Sequence, residues 1–155
     1  MKAKREYPSS PLVGAGAVVY DGPKVLLIKR KYSPNEGRWA LPGGLVELGE
    51  RVQDAVVREI KEETGLEVVL KGLLDVATDI HLDERSRPKY HYVLVDYLAH
   101  RVRGKVRLNA ESSAFGWFTV EQARRLDMSE GTREVLALHF RRRRIAERRS
   151  ARSPS

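Results

Sequence analysis

The stretch Gly44-Leu45-Val46-Glu47-Leu48-Gly49-Glu50-Arg51-Val52-Gln53-Asp54-Ala55-Val56-Val57-Arg58-Glu59-Ile60-Lys61-Glu62-Glu63-Thr64-Gly65-Leu66 decides how this chain is read. At about 100° per residue, a helix from Arg51 to Thr64 puts Val52, Ala55 and Val56 on one stripe. Glu59, Glu62 and Glu63 continue the same stripe toward the C-terminus. An ordinary surface helix would continue with leucine or valine and keep its acids on the side of Asp54 and Lys61. This helix turns its apolar face acidic halfway along. Gly65 then supplies the residue that a left-handed C-cap favours.

Carboxylates at i, i+3 and i+4 are close neighbours on a helix. Partly buried and unpaired, they repel one another and hold their protons more tightly. A divalent cation removes that penalty, and clustered hard oxygen ligands suit Mg2+ or Mn2+. Arg58 and Lys61 screen some of the charge, with side chains expected on other faces. Taken alone, the same helix also reads as a solvated acidic end laced by ion pairs.

Working outward, the pattern predicts strands over 12–20 and 24–30 and a short one over 39–41, stopped by Pro42-Gly43-Gly44. Downstream it predicts one or two strands over 66–78, a charged loop over 79–89 and a strong strand over 90–98. A weaker strand is expected over 106–108, and a short one over 116–118 leads to a helix over 120–126. A last helix spans 133 to about 149, with Val135, Leu136, Leu138 and Phe140 in its first half. Strands with interspersed helices, and no regular βαβ alternation, indicate a mixed α/β (α+β) sheet with helices on its faces.

A chain of 155 residues suits one domain, expected over 12–140, with a basic extension at 1–11 and an arginine-rich tail at 141–155. The tail holds seven arginines and one glutamate, so residues 1–140 carry only +2 of the net +8. The high pI belongs to the tail, which reads as a solvated helix end more readily than as a nucleic-acid anchor. There is no cysteine, and four scattered histidines do not suggest zinc, so a metal would be held by oxygen. No apolar run approaches the roughly 20 residues needed to cross a bilayer. Lacking a signal-peptide pattern as well, the chain is expected to be cytoplasmic with no membrane partner.

From Gly44 to Leu66 the chain matches every fixed position of the Nudix box: Gly44, Glu50, Arg58-Glu59-Ile60-Lys61-Glu62-Glu63 and Gly65-Leu66. The flanks are similar to the same family, namely Val25–Arg30, Gly37–Gly44 and Gly116-Trp117-Phe118. The resemblance covers roughly residues 12 to 138. It implies an αβα sandwich, and hydrolysis of a pyrophosphate linkage in a nucleoside diphosphate derivative with Mg2+ or Mn2+. Glu59, Glu62 and Glu63 match the glutamates that bind metal, with the backbone near Gly43 or Gly44 as a further ligand. Glu59 or Glu62 would orient or deprotonate the attacking water. Glu50 and Arg58 match a supporting ion pair. Glu111 is the candidate for an extra carboxylate from a facing loop. In relatives ending in glutamate-any-any-Trp, a carboxylate sits three residues before the tryptophan; here that position is Ala114.

The substrate is read by residues outside the box. Of Lys29 and Arg30, one is expected to face the cleft and bind phosphate. Trp39 reads as a base-stacking or a core residue. Tyr90 and Tyr92, sharing one strand face, read as a base or ribose contact or as a cross-strand aromatic pair. The stretch 24–118 is similar to short prokaryotic ADP-ribose or ADP-sugar pyrophosphatases, although the proline many carry about fifteen residues after the box is absent near Ile80-His81-Leu82. A nucleoside triphosphate pyrophosphohydrolase, including one for oxidised nucleotides, is the nearest alternative. A non-catalytic nucleotide-sensing domain and an RNA 5′-end hydrolase rank lower. A homodimer is expected from the resemblance alone.

Overall fold

The computed structural model describes residues 4–153; the outermost parts of both basic extensions lie outside the described residues. Seven strands form one mixed sheet: β1 (Leu12–Asp21), β2 (Lys24–Arg30), β3 (Trp39–Ala40), β4 (Gly43–Leu45), β5 (Glu67–Leu82), β6 (Pro88–Arg103) and β7 (Ser112–Phe118). Helix α1 (Val52–Thr64) covers one face, and α2 (Val120–Ala123) and α3 (Glu130–Arg152) cover part of the other. The spatial order is β3-β2-β1-β6-β5, with β4 paired to β1 and β7 paired to β2. β1 and β6 run parallel, and the other pairs are antiparallel.

Alternation along β1 builds two cores. Ala15, Ala17 and Val19 face α1 and pack with Leu26, Ala55, Val56 and Ile60. Val18, with Val25 and Leu27, faces Ala123, Val135 and Leu136. Each fully buried valine or isoleucine contributes about 1.5–3 kcal/mol by leaving water. This is the sandwich that the box resemblance implied.

Several elements differ from the sequence reading. The charged loop expected over 79–89 is mostly strand, because β5 and β6 pair from Glu67–Arg103 to Leu82–Pro88 and only residues 83–87 turn. Ile80 pairs with His91 and Asp79 with Tyr92. Backbone pairing with a partner strand outweighs the local charge density there. The expected strand over 106–108 is irregular; Arg107 instead donates its N–H to the Thr64 carbonyl, closing over the C-terminus of α1. The short strand ends before Pro42 as expected, and Gly43-Gly44 then opens a further strand, β4, paired with Ala15 and Gly16. Helix α2 ends earlier than expected, and α3 extends three residues beyond the expected span at each end.

Candidate active site

Helix α1 packs Ala55, Val56 and Ile60 against the sheet, and this fixes where the glutamates that follow them fall. Glu63 is buried, with 1% of its surface exposed. Its Oε2 accepts the Gly43 N–H at 2.8 Å, and its Oε1 accepts the Ser112 hydroxyl at 3.4 Å. Burial is the main reason its pKa rises to about 7. The Gly43 N–H and the charge of Arg30 oppose that rise, whereas Glu111 and Glu59 add to it.

Glu59 stands one turn earlier, mostly covered, facing Gly44. A Cβ at Gly44 would lie 2.3 Å from the Glu59 carboxyl carbon, so the absent side chain is what admits the carboxylate. Burial raises the Glu59 pKa, against the pull of Arg58, and the charges of Glu62 and Glu111 push the same way as burial. Glu62 is the exposed member of the three, its side chain 56% accessible.

Arg58 ties these groups together. Its Nε and Nη2 donate to Glu50 Oε2 and Oε1, both at 2.8 Å, in a bidentate fork. Nη1 reaches Glu59 Oε1 at 2.8 Å and Glu62 Oε2 at 3.2 Å, and Nη2 also donates to the Leu45 carbonyl at 3.1 Å. Hydrogen bonding to Arg58 holds the Glu50 carboxyl below its ordinary range, and the same bonds raise the Arg58 pKa. The expectation that Arg58 points away from the acidic stripe is therefore corrected, because a long guanidinium side chain folds across the face that its Cα does not share.

Loops bring the remaining candidates in unequally. Arg30 ends β2 with its charge acting on Glu63. The Lys31 N–H bonds the Glu111 carbonyl at 3.0 Å, which ties the 109–111 turn to the end of β2 and places Glu111 within electrostatic reach of Glu59 and Glu63. Lys29 lies on the opposite face, cross-strand from Trp39 and Ala114. Trp39 packs edge-on against Phe118, centroids 5.1 Å apart, at the border of the second core. Tyr90 and Tyr92 are each 6% exposed and stacked at 6.5 Å, with the Tyr90 hydroxyl bonded to Glu6. For Trp39, Tyr90 and Tyr92 the packing readings are the ones this geometry displays.

Among the described residues, no three His, Cys, Asp or Glu side chains already stand at ligand spacing; Arg58 occupies Glu59 and Glu62, and the Gly43 N–H occupies Glu63. The donors are nonetheless all hard oxygens on one helix face beside a glycine strand, and the buried acids hold their protons tightly. That chemistry fits a divalent cation replacing those protons.

A family model for the NUDIX domain matches residues 10–139. The chain belongs to the Nudix family. An ADP-ribose pyrophosphatase of Methanocaldococcus jannaschii is 37% identical over 116 residues, 75% of this chain and 66% of that protein. The nucleoside triphosphatase NudI of Escherichia coli is 33% identical over 109 residues, 66% of this chain and 76% of that protein. The crystal structure of a MutT NUDIX hydrolase from Burkholderia pseudomallei superposes with a TM-score of 0.73 at 37% identity, covering 84% of this chain and 98% of that one. The stretch from Gly44 to Leu66 runs from β4 through the loop and α1 to the turn that follows it.

One residue that sequence reading passed over joins this neighbourhood: Ser112, which donates its hydroxyl to Glu63 and carried no signal in the sequence.

Proposed function

We propose that this protein is a metal-dependent Nudix hydrolase that cleaves the pyrophosphate linkage of a nucleoside diphosphate derivative, with ADP-ribose or a related nucleotide sugar as its substrate. The observation that carries this reading is the set Glu59 and Glu63 against Gly44 and Gly43, with Glu62 beside them, held by Arg58, which is itself paired with Glu50. Mg2+ or Mn2+ held there by Glu59, Glu62, Glu63 and the Gly44 backbone would neutralise the phosphate oxygens and activate water. Glu59 or Glu62 takes the proton from the attacking water, and Arg58 fixes the orientation of both. Arg30 faces the phosphates from the end of β2. Glu111 supplies the additional carboxylate from the facing turn, a role supported by its effect on Glu59 and Glu63.

The name of the Methanocaldococcus relative supports the ADP-ribose reading. The name of the Escherichia coli relative favours a second one, in which the substrate is a nucleoside triphosphate. A panel of ADP-ribose, other nucleoside diphosphate sugars, dinucleoside polyphosphates and normal and oxidised triphosphates, assayed with Mg2+ and Mn2+ by phosphate-coupled detection, separates the two. Preference for ADP-ribose or a sugar nucleotide upholds the first reading, and preference for a triphosphate upholds the second. Binding without turnover across the panel rejects both.

A further inference from the structure

A second basic stretch lies outside the tail. Arg101, Arg103, Lys105 and Arg107 alternate along Arg101-Val102-Arg103-Gly104-Lys105-Val106-Arg107, with no acid among them. The end of β6 and the chain that leaves it carry these cations past the C-terminus of α1. Backbone bonds fix that chain in place: the Arg107 N–H donates to the Thr64 carbonyl at 2.8 Å, and the Asn109 N–H to the Glu63 carbonyl at 3.2 Å. Gly104 and Gly65, both at positive φ, let the two main chains touch; a Cβ at Gly104 would stand 3.0 Å from the Gly65 carbonyl oxygen.

This crossing borders a cleft of about 360 Å³, open to solvent, between Leu66 and Gly104–Val106 on one side and the β1–β2 hairpin and β7 on the other. That size falls within the roughly 300–1,000 Å³ of small-ligand sites. Phe115 and Trp117 line it from β7, where two residues apart they share a face. Trp117 packs partly against the first core, while Phe115 is 44% exposed, so together they offer the cleft a flat apolar surface. Arg101 is already engaged, donating to Asp21 and to the Gly104 carbonyl, and Asp21 is the one acid of the cleft. Lys24 and Lys105 also line it; both are exposed and, among the described residues, neither is in an ion pair.

The cleft stands apart from the acidic face. β2 begins at Lys24 and ends at Arg30, six steps or about 20 Å later, and Arg30 is the residue whose charge acts on Glu63. Along β7, Trp117 is likewise at the far end from Ser112, the Glu63 partner.

We propose that this cleft binds a nucleoside phosphate, its base against Phe115 and Trp117 and its phosphate at Lys24 and Lys105. Stacking on an aromatic ring tolerates every base, so the cleft selects a class of ligand and not one base. The ammonium groups supply the positive charge, so binding here needs no metal.

The test titrates the full chain with AMP, adenosine and inorganic phosphate in the presence of chelator, which removes metal-supported binding at Glu59, Glu62 and Glu63. Calorimetry reads affinity. Tryptophan emission reads location, because the chain has two tryptophans and Trp39 packs in the other core. AMP is expected to bind saturably and to change the emission, with that change lost in Trp117→Phe. Adenosine and phosphate should each bind at least tenfold more weakly than AMP, since each makes only part of the contact. The double variant Lys24→Glu with Lys105→Glu should lower AMP affinity at least tenfold, and Phe115→Ala about tenfold. Turnover of a nucleotide substrate with Mg2+ should keep its KM within about twofold in the double variant, because charges so far from Arg30 are screened.

AMP failing to bind the unsubstituted chain at millimolar concentration overturns the proposal, as does unchanged AMP affinity in the double variant. Phosphate binding as tightly as AMP overturns it too, leaving only a basic patch. So does a KM that rises in step with the loss of AMP affinity, which would put the nucleotide in the catalytic cleft. If Trp117→Phe does not fold, Phe115→Ala and the paired lysine changes, all at exposed positions, decide the matter.

Discussion

Arg58 grips Glu50 through two 2.8 Å hydrogen bonds and, with its remaining nitrogen, holds Glu59 at 2.8 Å. One guanidinium thereby couples the loop that carries Glu50 to the helix that carries the acids. A fork of this kind depends on planar geometry, which a lysine ammonium does not reproduce. Arg58→Lys is expected to lower kcat by about 10–100-fold, the usual cost of losing a supporting contact at a metal site. Steady-state kinetics beside thermal unfolding checks this; a lysine variant with unaltered kcat would remove Arg58 from the machinery.

Glu62 is half-exposed and makes no contact that the core needs. Glu62→Gln is expected to cut kcat by roughly 10²-fold or more while leaving stability within about 0.5 kcal/mol. Circular dichroism melting and turnover, measured on one preparation, separate the two effects.

Gly44→Ala tests the close approach of helix and strand. Its Cβ would meet the Glu59 carboxylate at 2.3 Å, so that side chain must move. The expected outcome is at least a tenfold loss of kcat and weaker Mg2+ activation, with secondary structure retained. Gly49→Ala, where nothing stands within 4 Å but φ is +81°, should cost stability and leave Mg2+ activation unaltered.

Metal-free stability should fall with rising pH. Glu63 keeps its proton to about pH 7 in the folded chain, whereas its ordinary value is 4.5. Between those values the folded state binds more protons than the unfolded one, so the unfolding free energy drops as pH rises, by about 3 kcal/mol from this residue. Asp96, at about 6, acts with the same sign over a lower window. Urea melts from pH 4.5 to 8 with chelator should show the decline, and Glu63→Gln should flatten its upper part. Added Mg2+ should restore stability most at the alkaline end, where Glu63 is already ionised.

Shortening the chain at residue 144 removes the outer turns of α3, where Ile145 is half exposed and the arginines face solvent. Arg143, which donates to the Gly22 carbonyl, is kept. The truncation should shift stability by no more than about 1 kcal/mol and leave kcat unchanged. RNA affinity that falls steeply with salt and vanishes on truncation would instead give the tail a polyanion-binding role.

The sequence by itself determined the helix, its acidic continuation and the roles implied for Gly44, Glu50, Arg58, Glu59, Glu62 and Glu63. These depend on spacing along one element, which local periodicity encodes. It also determined that the domain is nearly neutral while the tail is basic. Tertiary structure decided what depends on which strands lie side by side. It extended β5 and β6 through a segment that local charge marked as loop, because pairing energy comes from the partner strand. It turned Arg58 across the acids, brought Glu111 to them through a backbone bond to Lys31, and gave Trp39, Tyr90 and Tyr92 packing partners. It also set Asp96 beside Gly16, a neighbour 80 residues away in the chain.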